Sequence, residues 1–556
     1  MASFKIPKGT TVIDTDEYDL IEQKRREAQR RLQEKQIEQF EGVSIPLPVM
    51  MQSAILIATL HASYNVYGSE PFQLIWKLII FIGAQVVRRL TNKQKKMMEE
   101  TNEEVGKKSS TKKKTKGKKG VEEVKTEEDT KPVEKPISPG SRFKFEVVYV
   151  FFLPFMLSLL YYPELININT VLMLNVFDGS LLTRSVIQLF FLMFTSQDEL
   201  VLLRNFSAIV LNVSFHYVLT HVSKLKSLDN VDCNLFSILL TNVLFLAKKP
   251  RMDGEPINLP YNVLWGTLMA FLASTGINYM VSLPLVITKN KHVRSVILFT
   301  TFTISFPLLA NYIIDVGDNT QTPIMWLLNY VQESKTRQKI LFTWLSFLLV
   351  LIPNILIFKS KFSLNTSRKL WHFLILALII YPFQVDPTFV KISLAGTITL
   401  FLAVEYLRYL KLEPLGNLLD EKLRSFADFR DECGPIIISY IYLIIGIATP
   451  LLIADSPVGL ISLGVGDSIA SIIGKKFGEL HWPNSKKTIE GTLAFISTTF
   501  IVGYICKEYL GYFTHLTTGN WLLVCTLSGI LEGNSILNDN ILIPAFMLIC
   551  EKLFTT

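Results

Sequence analysis

The chain has 556 residues, a net charge of +8, and 49% hydrophobic against 19% charged residues, with a mean hydropathy of +0.34. Once its polar tracts are set aside, that balance excludes a soluble globular protein and points to a polytopic membrane protein. Cys233, Cys433, Cys506, Cys525 and Cys550 are scattered, with no CxxC pair and no closely spaced framework. This excludes a disulfide-stapled secreted domain and a cysteine zinc site, and assigns the thiols to packing.

Residues 1–45 read as a polar cytosolic segment. Met1 to Gln39 lacks the basic start, apolar centre and cleavage site of a signal peptide, so the first span is expected to serve as the targeting signal. Glu17 to Phe40 sets opposite charges at i,i+3 and i,i+4, the pattern of a solvated helix. A first transmembrane pair occupies 46–87, with spans at 46–66 and 71–88. Residues 88–146 carry Lys107-Lys108, Lys112 to Lys114 and Lys118-Lys119 followed by a Glu/Lys/Pro tract, a composition that cannot bury a core and reads as a disordered cytoplasmic loop. A basic run tethered between spans marks the cytoplasmic side or touches anionic headgroups, rather than nucleic acid.

A multispan N-terminal membrane region follows at 147–360 and a C-terminal core at 361–556. Spans are predicted near 147–163, 169–195, 200–221, 234–248, 262–288, 293–315, 338–358, 370–384, 389–411, 435–454, 458–474, 489–511, 520–533 and 541–555. The expectation is an all-α polytopic protein with about fifteen transmembrane helices of ~20 residues each. Intramembrane polar residues of the N-terminal half, such as Asp178, His216 and Asn278, form no repeated constellation.

The most informative stretch lies at 464–492. Gly464-Val-Gly-Asp467 and Lys486-Lys487-Thr488-Ile489-Glu490-Gly491 make a polar, glycine- and lysine-rich island between the apolar runs Pro435 to Asp455 and Ile489 to Cys506. A bilayer solvates neither backbone nor charge, so such an island must line a cavity or reach the interface. Lys475, Lys476, Lys486 and Lys487 place it on the cytoplasmic face. Gly464, Gly466, Gly474 and Gly478 permit close backbone approach, which lets amides point at phosphate oxygens. Gly474 and Gly478 equally suit close helix packing. Asp467 has the oxygen chemistry of a Mg²⁺ ligand, and Ser468, Ser471 and Thr488 add hydroxyls. GxxxxGK[ST] and the protein-kinase signatures are missing from the sequence, which excludes a P-loop or protein-kinase site.

The run GVGDSIASIIGKKFGELHWPNSKKTIEGTLAF, residues 464–495, closely resembles the nucleotide-binding segment of the polyprenol (dolichol) kinase family, membrane enzymes that use CTP rather than ATP. Three further elements resemble the same family: Arg368-Lys369-Leu-Trp-His372, Phe426-Ala-Asp428-Phe-Arg430-Asp431 with Gly434-Pro435, and Asn538-Asp539-Asn540 with Pro544. The resemblance covers roughly residues 365–556. CTP-dependent diacylglycerol kinases and phytol kinases share this core, and phosphatidate cytidylyltransferases share it more loosely.

The resemblance implies transfer of the γ-phosphate of CTP to the hydroxyl of dolichol, giving dolichyl phosphate and CDP for protein glycosylation at the endoplasmic reticulum membrane. Phosphoryl transfer needs cationic neutralisation, in-line placement and a proton acceptor. Asp467 and Asp539 are the expected Mg²⁺ ligands. Lys475, Lys486 and Lys487 are expected on phosphates, with Glu490 orienting one of them and Gly491 in the same cluster. Asp428 and Asp431 share a face if helical, and one is the base or a second metal contact; a surface ion-pair cluster with Arg424 and Arg430 is the competing reading. Arg368, Lys369 and His372 read as snorkelling groups at a span boundary, and only the resemblance gives them a nucleotide-binding or base role. Glu405 and Arg408, at i,i+3, are expected to pair so as to lower each other's burial cost. The alternatives are a CTP-dependent diacylglycerol kinase, a phosphatidate cytidylyltransferase and, in another class, a membrane transporter. No inverted repeat is detectable, and a transporter has no evident need for the Lys-Lys-Thr-x-Glu-Gly cluster.

Overall fold

The computed structural model describes residues 47–77, 145–177, 180–193, 199–223, 228–248, 257–288, 290–317, 320–358, 364–423, 436–483 and 485–555. The whole 1–45 segment, nearly all of the 88–146 loop, Asp178, Asp428 and Asp431 lie outside these residues. Every named element among the described residues is helical.

The N-terminal half comprises α1 (Leu47–Tyr67), α2 (Val147–Tyr161), α3 (Ile166–Leu172), α4 (Leu181–Leu192), α5 (Glu199–Ser223) and α6 (Asn230–Thr241). It continues through α7 (Leu259–Ser282), α8 (Lys291–Ile313), α9 (Pro323–Gln332) and α10 (Lys335–Phe358). The C-terminal half comprises α11 (Leu364–Val385), α12 (Pro387–Tyr409), α13 (Gly416–Leu423), α14 (Ser439–Ala454) and α15 (Val458–Ile461). It ends with α16 (Asp467–Phe477), α17 (Ile489–Leu510), α18 (Thr518–Asn534) and α19 (Asp539–Leu553).

Helix starts follow local chemistry. Asn258, Thr322 and Asp386 each accept a backbone N–H of the next turn, from Tyr261, Met325 and Phe389, and each precedes a proline in the first turn. The side chain satisfies an orphan donor and the proline sits where no N–H is needed.

Most predicted spans coincide with these elements, while α9 falls between two of them and the span 71–88 lies largely outside the described residues. Among the described residues, 7 helices are long and apolar enough to cross a membrane, and five more apolar helices are shorter, including Val147–Tyr161 and Ser439–Ala454. Two of the predicted spans differ in form from a single long helix crossing a membrane. The run 169–195 is broken, with a 3₁₀ turn at Met173–Val176 between α3 and α4. The 15-residue α2 is buried nearly all round, with Tyr149, Phe155 and Met156 fully covered, so its apolar surface faces protein.

The core joins the two halves. Phe152 of α2 meets Phe546 of α19 at 6.3 Å between ring centres, and Phe236 of α6 stacks on Tyr442 of α14 at 5.3 Å. Gly446 of α14 lies so near α19 that a Cβ there would meet the Asn540 carbonyl oxygen at 2.0 Å. That approach sets the start of α19 against α14.

One charged knot is fully buried. Arg408 of α12, 1% exposed, bonds Glu405 at 2.6 Å and Asp420 of α13 at 2.6 Å. Glu405 also accepts from the Ile437 N–H at 2.8 Å and the Tyr440 hydroxyl at 2.5 Å. The i,i+3 pair thus ties α12, α13 and the start of α14 together. Arg408→Met leaves Glu405 buried without its cation, while Asp420 keeps only Lys411 at 3.3 Å, and is expected to destabilise the protein by about 3 kcal/mol, measured as thermal melting in detergent.

Candidate active site

α11 and α16 bring the first charged group together. Lys369 and His372 lie one turn apart on α11, so they share a face. Both reach Asp467 at the start of α16: Lys369 forms a short ion pair with its carboxylate, and His372 Nδ1 lies 3.5 Å from it. Between α15 and α16 the helix widens into a π turn at Ser462–Gly466, a distortion that often marks functional positions. The Leu463 carbonyl in that turn accepts from His372 Nδ1 at 3.1 Å and from the Ser468 hydroxyl at 3.2 Å. A carbonyl only accepts, so the imidazole proton sits on Nδ1 and the Nε2 lone pair is left available.

The loop from Gly478 to Thr488 carries the second group. It is pinned by the Trp482 N–H on the Lys487 carbonyl at 3.0 Å, the Ile489 N–H on the Leu480 carbonyl at 2.8 Å, and Trp482 Nε1 on the Thr492 hydroxyl at 2.9 Å. Thr488 caps α17 by accepting from the Gly491 N–H at 3.1 Å. Lys487 Nζ then reaches both oxygens of Asp539 at 2.9 Å, Glu532 Oε1 at 2.9 Å and the Glu532 carbonyl at 2.7 Å. Burial disfavours the Lys487 ammonium, but the Asp539 and Glu532 carboxylates outweigh it and hold its pKa above the ordinary lysine range. Its stabilising contribution is therefore complete at neutral pH and fades only as pH rises through that raised range.

Both groups open onto one cavity of about 600 Å³. Of the expected site residues, the structure gathers Lys369, His372, Asp467, Lys475, Lys486, Lys487, Thr488, Gly491 and Asp539 around it. The beginnings of α14, α17 and α19 also contribute, through Ser439, Thr488 and Asn538. Helix starts carry partial positive charge and suit anionic groups. Four lysines and three carboxylates thus line one space, an arrangement suited to a polyphosphate with a divalent cation.

Other expected residues are placed elsewhere. A Cβ on Gly464 would meet Leu376 at 2.8 Å, and one on Gly466 would meet Thr499 at 2.5 Å. These glycines sit in helix contacts and do not line the cavity. Gly478 sits against the Gly474 carbonyl and Thr488, the close-packing role. Glu490 bonds no lysine; its Oε1 accepts from the N–H groups of Glu479 at 3.2 Å and Leu480 at 3.0 Å, so it shapes the loop. Arg368 lies on α11 within one turn of His372. The expected roles of Asp428 and Asp431 fall outside the described residues. Glu532 is a site residue that the sequence reading missed; the signal was a lone carboxylate within the apolar run 520–533.

The described residues thus form helices, 7 of them long and apolar enough to cross a membrane, around a cleft lined by lysines and carboxylates. Comparison with known proteins is specific. The Dolichol kinase N-terminal domain family matches residues 109–248. The chain is 49% identical over 420 residues to the dolichol kinase of Saccharomyces cerevisiae, covering 74% of this chain and 78% of that protein. It is 33% identical over 304 residues to dolichol kinase sec59 of Schizosaccharomyces pombe, covering 48% and 60%. It is 30% identical over 261 residues to the Homo sapiens dolichol kinase, covering 41% and 47%. The chain belongs to the dolichol kinase family. No solved structure matches it.

Lys487→Met leaves Glu532 and Asp539 adjacent without their cation, and is expected to lower stability by about 3 kcal/mol. Adding Glu532→Gln removes one of the two repelling charges and is expected to recover part of that loss. Thermal melting of the single and double variants in detergent checks both.

Proposed function

We propose that the protein transfers the γ-phosphate of CTP to the hydroxyl of dolichol, releasing CDP and dolichyl phosphate for protein glycosylation. The observation that carries this reading is the pairing of Lys369 with Asp467 and of Lys487 with Asp539 and Glu532 around one cavity, in a chain of the dolichol kinase family. Placement at the endoplasmic reticulum membrane, with the cavity on the cytoplasmic face, follows from the lysine-rich loops and the substrate's location in the bilayer.

The residues fit Mg²⁺. Asp467 and Asp539 offer hard oxygen ligands, and among the described residues no group of three His, Cys, Asp or Glu is placed to hold a metal on its own. That suits an ion held by one or two carboxylates and completed by phosphate and water. When bound, it neutralises charge on the β- and γ-phosphates. Lys369 and Lys487 exchange their carboxylate partners for phosphate oxygens, with Lys475 and Lys486 at the cavity wall adding charge. The alcohol oxygen attacks the γ-phosphorus, the bond to the bridging oxygen breaks, and CDP leaves. His372 Nε2, its tautomer fixed by the Leu463 carbonyl, accepts the hydroxyl proton. Asp428 or Asp431 is the alternative acceptor.

The deciding experiment gives purified protein γ-labelled CTP, Mg²⁺ and either dolichol or diacylglycerol. Label is expected on dolichol, reduced by roughly a hundredfold or more in Asp467→Asn and Lys487→Ala. Label on diacylglycerol alone would assign the chain to the sister kinases. Pyrophosphate release with phosphatidate, and no labelled lipid, would assign it to cytidylyl transfer.

A further inference from the structure

The last turn of α18 carries Glu532 at the cavity and ends at Asn534. A helix end leaves orphan carbonyls that need donors. Two of them are taken from opposite directions. The Glu532 carbonyl accepts from Lys487 at 2.7 Å. The Asn534 carbonyl accepts from Gln52 Nε2 of α1 at 2.8 Å, across 482 positions of sequence.

Gln52 is itself fully engaged. Its amide nitrogen also donates to the Pro48 carbonyl at 3.1 Å, and its Oε1 accepts from the Tyr149 hydroxyl of α2 at 2.7 Å. Gln52 is 5% exposed and Tyr149 is fully covered. Ser535, the residue after Asn534, lines the cavity. In an apolar surrounding each of these bonds is directional and hard to replace. Two helices of the N-terminal half thus hold, from behind, the stretch that presents Glu532 and Asp539 to Lys487.

We propose that Gln52 and Tyr149 are positioning residues for phosphoryl transfer, fixing the 532–539 segment so that Lys487, Glu532 and Asp539 keep their register. The proposal rests on the kinase reading above. It gives the N-terminal membrane helices a part in the chemistry through a side-chain clamp that touches no substrate. Misplacing a cationic clamp by a fraction of an ångström slows the chemical step while leaving lipid binding intact.

The test compares Gln52→Leu and Tyr149→Phe with Leu153→Ala, a core variant of α2 one turn from Tyr149 that removes apolar packing and none of the clamp's hydrogen bonds. Hydrogen exchange of the amides in 531–540 is expected to accelerate in Gln52→Leu and less so in Tyr149→Phe, which keeps the bond to Asn534. The turnover number for dolichol phosphorylation is expected to fall roughly tenfold to a hundredfold in Gln52→Leu, with the KM for dolichol unchanged. Leu153→Ala is expected to lower the melting temperature without either change. Unaltered exchange in 531–540 would overturn the clamp, as would a turnover loss that Leu153→Ala reproduces at equal melting temperature. Wild-type protein that transfers no label would overturn the kinase reading, and the exchange data would still decide the clamp.

Discussion

Charge placed among apolar helices has no water to stabilise it, so every cation in such a bundle needs an anion within contact distance. Among the described residues, three of the knots that meet that demand are Lys369 with Asp467, Lys487 with Glu532 and Asp539, and Arg408 with Glu405 and Asp420. The first two join elements well separated in sequence, and the third joins consecutive ones. The first couples α11 to α16, the second couples the 478–488 loop to α18 and α19, and the third sets α12 and α13 against the start of α14. The cavity exists because these connections hold the beginnings of α14, α17 and α19 around one polar space.

Much of this was legible in the sequence because the relevant signals are local. The positions of the long helices α7, α8, α12 and α17 follow from the apolar runs near 262–288, 293–315, 389–411 and 489–511. The island at 464–492 announced itself by contrast with its surroundings, and the structure gathers Asp467, Lys475, Lys486, Lys487 and Thr488 at one cavity. Non-local facts were not legible. Run length alone cannot distinguish a helix that faces lipid from one, such as α2, that is enclosed by protein. Nor can it show that Lys487 spends its donors on Glu532, because that contact depends on how α18 and α19 pack.

The glycines divide along the same line. A glycine in sequence signals that something comes close without saying what. At Gly464 and Gly466 the neighbours are side chains of α11 and α17, and at Gly446 the neighbour is the backbone of α19. At Gly491 the neighbours are the Ala470 carbonyl and the Thr488 hydroxyl, and the residue also lines the cavity. Close helix contact and access to the site are therefore joined at Gly491 and separate at the other three.

The self-paired lysines have a further thermodynamic consequence. A nucleotide arriving alone would draw Lys369 or Lys487 away and leave a carboxylate in the cavity wall without its cation. A divalent cation arriving alone would displace a lysine from its acid and strand the ammonium. Arriving together, they replace both halves of each pair and leave no charge uncompensated. On the proposed function, electroneutrality would make the two ligands mutually dependent, each raising the affinity for the other by the same factor, so that the cleft would act as a coincidence gate before any lipid hydroxyl is engaged.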